Sequence, residues 1–200
     1  MSNKLQNNHV LLVASGMSAH QVHDYPYKDN GWTIVAVNNG WQACPDLWDF
    51  WVRSNDFNGA VPTPLTHQRI VKTYGHSLRE FGGQKECGYS ITLNAAYWAL
   101  ALLKPKSLCF LGADMNYVLN EEGATHIYGL GNDIIKNGIP DPDRMAEKYG
   151  KGDPDYLINI YRRLETIAED HRVPVYNLSQ GVDTRLPYER KAPSEINNQE

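Results

Sequence analysis

The 200-residue chain has no long block of lysine or arginine, and its charge is mixed, with a formal net charge of −4. It therefore does not advertise the phosphate-backbone grip that dominates nucleic-acid binding. Cysteine is scarce: Cys44, Cys87 and Cys109 are odd in number and far apart. That spacing argues against a disulfide framework or a paired-cysteine zinc site, and predicts reduced thiols in a cytosol. No apolar run reaches the roughly 20 residues of a membrane-spanning helix. The polar start "MSNKLQNN" does not read as a secretory leader. The Gly-Lys-Ser/Thr of a P-loop, the full dinucleotide fingerprint, a calcium-loop pattern and any metal-ligand spacing are also missing. The length suits one domain with a real core, expected over 1–187, with a loosely held tail over 188–200.

What is present is a series of apolar segments with polar ends. "CGYSITLNAAYWALALLKPKSLCFLGADMNY" predicts a helix followed by a strand. Thr92, Ala95, Ala96, Ala99, Leu102 and Leu103 recur on one helical face, and Leu93, Tyr97 and Leu100 form a second, so the helix is expected to be buried. Pro105 cannot continue it. "SLCFLGAD" is apolar without alternation, as in a parallel strand covered on both faces. Ligands bind beyond the carboxyl ends of such strands, which makes Gly112, Asp114, Asn116 and Tyr117 a candidate rim.

The same arrangement recurs earlier. "VLLVA" predicts a strand, and "SGMS" (Ser15, Gly16, Ser18) a turn into a short helix reaching about His23. Gly16 would permit close backbone approach, and N–H groups and hydroxyls there could hold an anion. The plain structural alternative is a strand-to-helix turn with Ser18 as N-cap. "TIVAV" predicts a second strand, ending on Asn38 and Asn39. Their amides offer donors and acceptors suited to a nucleobase or ribose, or else make a simple Asn-Gly turn. A third strand is expected around Leu47–Val52, with Asp46 and Asp49 at the same rim. Trp41, Trp48 and Trp51 are expected in the core. "VPTPLTHQRIVKTYGHSLREFGGQKE" gives no clear assignment, and its His67 and His76 are expected at the surface or behind the site. Gly88, Tyr89 and Ser90 precede the buried helix, where an N-terminus favours anions.

From about 116 to 152 the periodicity stops, and the segment is rich in Gly, Asn, Asp and Pro. Long irregular segments in compact domains are usually functional or disordered, so a lid is expected here. It holds His126, Tyr128 and Asp133, residue types of a general base and its neighbours. The alternative is a solvated loop with an ordinary histidine. A helix follows, with Asp153 as N-cap, Pro154 at its first position and Leu157, Ile160, Tyr161, Leu164, Ile167 and Ala168 as its buried stripe. "VPVYNLS" predicts a last strand with a polar tip at Asn177 and Ser179.

The order strand-"SGMS", strand-"AVNNGW", "CGYSITLNAAYWAL", strand-"LGADMNY", irregular segment and "VYNLSQG" resembles the Rossmann-like single-domain bacterial sialyltransferases and related tailed-phage proteins. The resemblance spans roughly Val10 to Gly181. It implies an α/β, three-layer fold with a mainly parallel sheet and an irregular lid. It also implies a phage-encoded, cytoplasmic glycosyltransferase-like enzyme that uses a CMP-sugar or similar nucleotide sugar and requires no metal or other cofactor. By the same resemblance, Ser15, Gly16 and Ser18 approach the phosphate, and Asn38 and Asn39 contact the nucleotide. Gly88, Tyr89 and Ser90 contact the ribose and base region, and Gly112, Asp114 and Tyr117 form the rim. His126 is the implied general base, assisted by Tyr117 or Tyr128, in an inverting displacement. The expected partners are a nucleotide or nucleotide sugar and an unidentified acceptor, with a homo-oligomer as an option. Departures are a lid of different sequence, no proline in "SGMS" and no C-terminal membrane-associating segment. Two other readings stand beside it: a non-catalytic nucleotide-binding or sequestering protein, and a Mg²⁺-dependent pterin-type pyrophosphokinase using Asp46, Asp49 and Asp114.

Overall fold

A computed structural model describes residues 8–88, 90–116, 119–129, 135–136, 139–140 and 155–198. Seven strands form one sheet: β1 (His9–Val13), β2 (Thr33–Val37), β3 (Phe50–Val52), β4 (Arg69–Val71), β5 (Ser107–Leu111), β8 (Val175–Asn177) and β9 (Glu189–Arg190). Between β5 and β8, β6 (Ile135–Lys136) and β7 (Ile139–Pro140) make a separate antiparallel pair. The order across the large sheet is β4-β3-β2-β1-β5-β8-β9, and every pairing in it is parallel.

This is the expected α/β, Rossmann-like three-layer fold. A parallel sheet must be covered on both faces, because each connection returns over one of them. Alternation along the strands divides the core accordingly. Val10 and Leu12 of β1, with Leu108 and Phe110 of β5, pack with α1 (Tyr74–Glu80), α2 (Ile91–Leu103) and α3 (Tyr156–Asp170). Leu11, Val13, Cys109 and Leu111 face the other way, toward Trp32, Trp48 and Trp51. That second layer is built largely from two 3-10 segments, Met17–His23 and Asn38–Ala43, and the short helix α4 (Pro193–Asn197).

Several expectations shift in detail. Trp48 and Trp51 are buried, and Trp41 is partly buried against the same cluster. The third strand is only Phe50–Val52. The unassigned Pro- and Gly-punctuated stretch supplies edge strand β4 and α1, both too short to show a period. In α2, every residue from Leu93 to Leu100 is buried, while Thr92 is half-buried and Leu102 is 37% exposed. The sheet, α1 and α3 enclose this helix from several sides, so burial spreads over one continuous stretch. In α3 the stripe holds, with Ile160, Tyr161, Leu164 and Ala168 buried and Leu157 and Ile167 packed at its margin. The expected N-cap and first helical position, Asp153 and Pro154, lie outside the described residues.

The expected loose tail is built into the domain as far as 198. Tyr188 is buried and donates its hydroxyl to Tyr161 O at 2.9 Å. Ile196 is buried, Trp32 Nε1 donates to Asn197 Oδ1 at 2.8 Å, and Asn197 Nδ2 donates to the Tyr25 hydroxyl at 2.6 Å. These anchors are single residues in a polar context, which periodicity does not detect.

Cys44, Cys87 and Cys109 are buried and in no disulfide. Burial pushes the Cys44 and Cys109 thiols up to about 12. An unfolded thiol titrates near about 8.5, so the folded state holds these protons more tightly. The stability they contribute is complete below about pH 8.5 and is lost as pH rises toward about 12. Denaturant midpoints should therefore hold from about pH 7 to 8.5 and fall beyond. A Cys44→Ala/Cys109→Ala variant should lose part of that slope; a midpoint flat to about pH 11 in the parent would contradict the argument.

Candidate functional site

The sheet reverses its winding between β1 and β5, since β2, β3 and β4 lie on one side of β1 and β5, β8 and β9 on the other. In open α/β sheets the crevice beyond the carboxyl ends at such a switch point is the usual ligand site. The loops that close it here follow Val13 and Leu111.

Those loops are bolted together. Gly16 N donates to Gly112 O at 2.7 Å, and Ala14 N to Leu111 O at 2.9 Å. Ser18 donates its backbone N–H to Asp114 Oδ2 at 2.9 Å and its hydroxyl to Asp114 Oδ1 at 2.5 Å. The Ser18 hydroxyl also accepts from Gly112 N at 2.8 Å. Ser179 Oγ lies 2.8 Å from Ser18 Oγ and 3.3 Å from Asp114 Oδ1. Ser18, Asp114 and Ser179 are all buried. Asp114 therefore serves first as a joint that ties the ends of β1, β5 and β8. Ser18, expected as an N-cap, spends its hydroxyl on this joint, and Gly16 occupies the cap position. Gly16 is required by space: a Cβ there would lie 2.6 Å from Asp114 Oδ2 and 2.6 Å from Gly112 O.

The second loop packs against the first. A Cβ at Gly40 would stand 2.1 Å from Val13 O, which accounts for the glycine of "NNG". Asn38 has φ 46°, a left-handed conformation that asparagine tolerates. Its Oδ1 accepts from Ser54 N at 2.9 Å, bracing the end of β3. Asn39 Oδ1 accepts from Gln42 Nε2 at 3.1 Å. Both asparagines stand at the expected edge and both do local structural work there.

The pre-helix turn lies at the same edge, because α2 feeds directly into the amino end of β5. Gly88 has φ 51°, and a Cβ on it would meet Ile160 Cδ1 at 2.2 Å, so it lets α3 approach the turn. Ser90 caps α2, accepting from Leu93 N at 3.4 Å, with Tyr161 Oη also 3.4 Å away. Burial pushes the Tyr161 phenol up, against the pull of hydrogen bonds from Ser90 and Thr92. Tyr89 and Tyr117 lie outside the described residues, as does Asp133.

The expected lid is described at 116, 119–129, 135–136 and 139–140, and its 119–129 stretch docks on the first loop. Ile127 N donates to Ser15 O at 3.0 Å, and Gly16 and His126 form an antiparallel bridge. His126 and Gly129 exchange backbone hydrogen bonds at 3.0 Å each. The His126 Nδ1 lies 2.8 Å from Thr125 Oγ1, and its ring centroid is 5.2 Å from that of Tyr128. Ser15, His126 and Tyr128 are thus gathered half-buried at the switch point. Asn116 stands nearby and donates Nδ2 to Asp183 O at 2.8 Å.

Two expectations are corrected. Asp46 and Asp49 precede β3 and so stand at the amino edge, opposite the crevice. Asp49 pairs with Lys28 at 2.5 Å and accepts from Ile34 N at 2.8 Å, fastening the start of β2. His67 is exposed, as expected, just before β4 at the same amino edge. His76, exposed on α1, follows the carboxyl end of β4. The three carboxylates of the pyrophosphokinase reading are therefore not together. Among the described residues, no group of three or more His, Cys, Asp or Glu is placed to hold a metal ion. No described helix is long and apolar enough to cross a membrane.

Sequence reasoning passed over Asn94. It is 7% exposed on the first turns of α2, and its Oδ1 is buried without a hydrogen-bond partner among the described residues. The signal was one amide inside the otherwise apolar "ITLNAAYWALALL". Comparison with known proteins finds no matching family model, no matching curated protein and no matching solved structure.

Proposed function

We propose that the protein is a nucleotide-sugar-dependent, glycosyltransferase-like enzyme working at the β1/β5 crevice. The observation that carries this reading is the bridge between Gly16 and His126, with Ile127 held by Ser15. It sets an imidazole beside the loop expected to face the donor phosphate. The N-terminus of α2 at the same edge supplies a positive end suited to the leaving phosphate.

In the proposed reaction an acceptor hydroxyl attacks the anomeric carbon of the donor sugar. The new C–O bond forms as the bond from that carbon to the phosphate oxygen breaks, with inversion. The hydroxyl proton passes to His126, and the electron pair leaves with the nucleotide. When Nδ1–H donates to Thr125 Oγ1, the basic lone pair is on Nε2. Tyr128 flanks the ring and can assist at the acceptor. A cytosolic location goes with this reading and is supported by three buried cysteines in no disulfide. A phage-encoded origin rests on the sequence resemblance alone.

The test is nucleotide release from CMP- and UDP-sugars, followed with and without Mg²⁺. Release that continues in the presence of a chelator is the expected result. Tight nucleotide binding without consumption of any nucleotide sugar would replace this reading with that of a binding or sequestering protein.

A further inference from the structure

Asn94 keeps a buried carbonyl oxygen that nothing among the described residues satisfies. Its carbonyl oxygen is buried and lacks a hydrogen-bond partner, although the residue is only 7% exposed. A buried acceptor in that state is costly, and the helix around it is apolar, so leucine would fit the local pattern better. Asn94 N donates to Ser90 O at 3.0 Å, which closes the first turn of α2. Side chains on a helix lean toward its N-terminus, so the Asn94 amide is aimed back at the turn that opens on the carboxyl edge. Ser90 Oγ caps Leu93 N there, while the N–H groups of Ile91 and Thr92 precede the first helical hydrogen bond. Thr33 and Trp48 also carry buried polar atoms without partners among the described residues, but they stand at the amino edge, away from the crevice.

We infer that the Asn94 amide and the first turn of α2 form a nucleobase-reading subsite. This rests on the nucleotide reading of the crevice and names the part of the ligand that reaches α2. A phosphate is the wrong occupant for Asn94, since a buried carbonyl oxygen repels an anion and needs a donor. A primary amide offers a donor and an acceptor side by side, which matches the donor–acceptor edge of a base. Trp98, one turn along the same helical face, is buried and makes that side of the subsite apolar. Bound base would supply the missing partner and expel water from it.

The experiment is calorimetric titration of CMP, UMP, AMP and GMP into the full chain and into Asn94→Leu and Asn94→Asp, with the melting temperature of each. Asn94→Leu should weaken the preferred monophosphate by about tenfold or more. It should also flatten the preference among the four and leave the melting temperature unchanged or higher. Asn94→Asp, which keeps the acceptor and loses the donor, should alter the order of preference. Equal weakening of all four, affinity unchanged within about twofold, or a marked fall in melting temperature for Asn94→Leu would each overturn the inference alone. Failure of all four to bind the parent protein would overturn the nucleotide reading and this inference with it.

Discussion

Asp114→Ala should cost about 2–4 kcal/mol of stability, because an unsatisfied buried donor costs about 1–3 kcal/mol and the space left by the side chain adds to it. The carboxylate receives the Ser18 N–H and the Ser18 hydroxyl and lies 3.3 Å from the Ser179 hydroxyl, all out of solvent. Truncation leaves the Ser18 N–H buried without its acceptor, leaves the two serine hydroxyls only each other, and opens a hole between three loops. Asp114→Asn is the sharper variant, because it keeps the shape. With its Oδ1 on the Ser18 N–H, its Nδ2 can donate to Ser18 Oγ, whose own hydrogen turns to Ser179 Oγ 2.8 Å away, so it should lose less than Asp114→Ala, about 1 kcal/mol. Denaturant unfolding of both variants measures the loss. A midpoint shift worth less than about 1 kcal/mol for Asp114→Ala would mean that the joint is dispensable. Asp114 would then return to the list of open ligand groups at the crevice.

That joint shows why the strand ends were legible while their roles were not. "VLLVA", "TIVAV" and "SLCFL" are continuous apolar runs, and only a parallel sheet covered on both faces buries such runs completely. The positions of Ser15–Ser18, Asn38–Asn39 and Gly112–Asp114 follow from that alone. Whether a polar residue at a strand end faces a ligand or a neighbouring loop depends on contacts across 96 sequence positions, as between Ser18 and Asp114. Local pattern carries no such information. The glycines make the same point. Gly16, Gly40 and Gly88 resemble loop glycines that admit a phosphate, yet Gly16 and Gly40 are required by backbone oxygens within 2.6 Å of where a Cβ would stand, and Gly88 is favoured by its φ of 51°. Asp49 was misplaced for a simpler reason. Beginning β3 three residues later than expected leaves Asp49 before the strand and puts it at the opposite edge of the sheet. The tail was missed because β9 and α4 are too short for any period to show.

His126→Ala should lower turnover of an active nucleotide sugar by about a hundred- to ten-thousandfold, the usual loss when a general base is removed. Stability should hardly change, because this segment docks through main-chain hydrogen bonds and the packing of Ile127 on the core, none of which needs the imidazole. His126 and Gly129 exchange backbone hydrogen bonds, Ile127 N donates to Ser15 O, and the bridge to Gly16 is likewise a backbone pairing. Alanine preserves every one of these. What it removes is the ring, with its Nδ1 2.8 Å from Thr125 Oγ1. Thr125→Val tests that orientation separately. Thr125 is a positioning residue, so its loss should reduce the turnover number by a smaller factor while leaving KM for the donor nearly constant. Thr125→Ser, which restores the hydroxyl, should recover most of the rate. Equal melting temperatures for His126→Ala and the parent, with nucleotide affinity retained, would assign the lost rate to chemistry. Normal turnover by His126→Ala would move the base elsewhere. His76, exposed beyond the carboxyl end of β4, would then be the candidate to test, since His67 stands at the amino edge. A variant that loses nucleotide affinity as steeply as turnover would instead show that the ring holds the donor, and that the proton goes to another group.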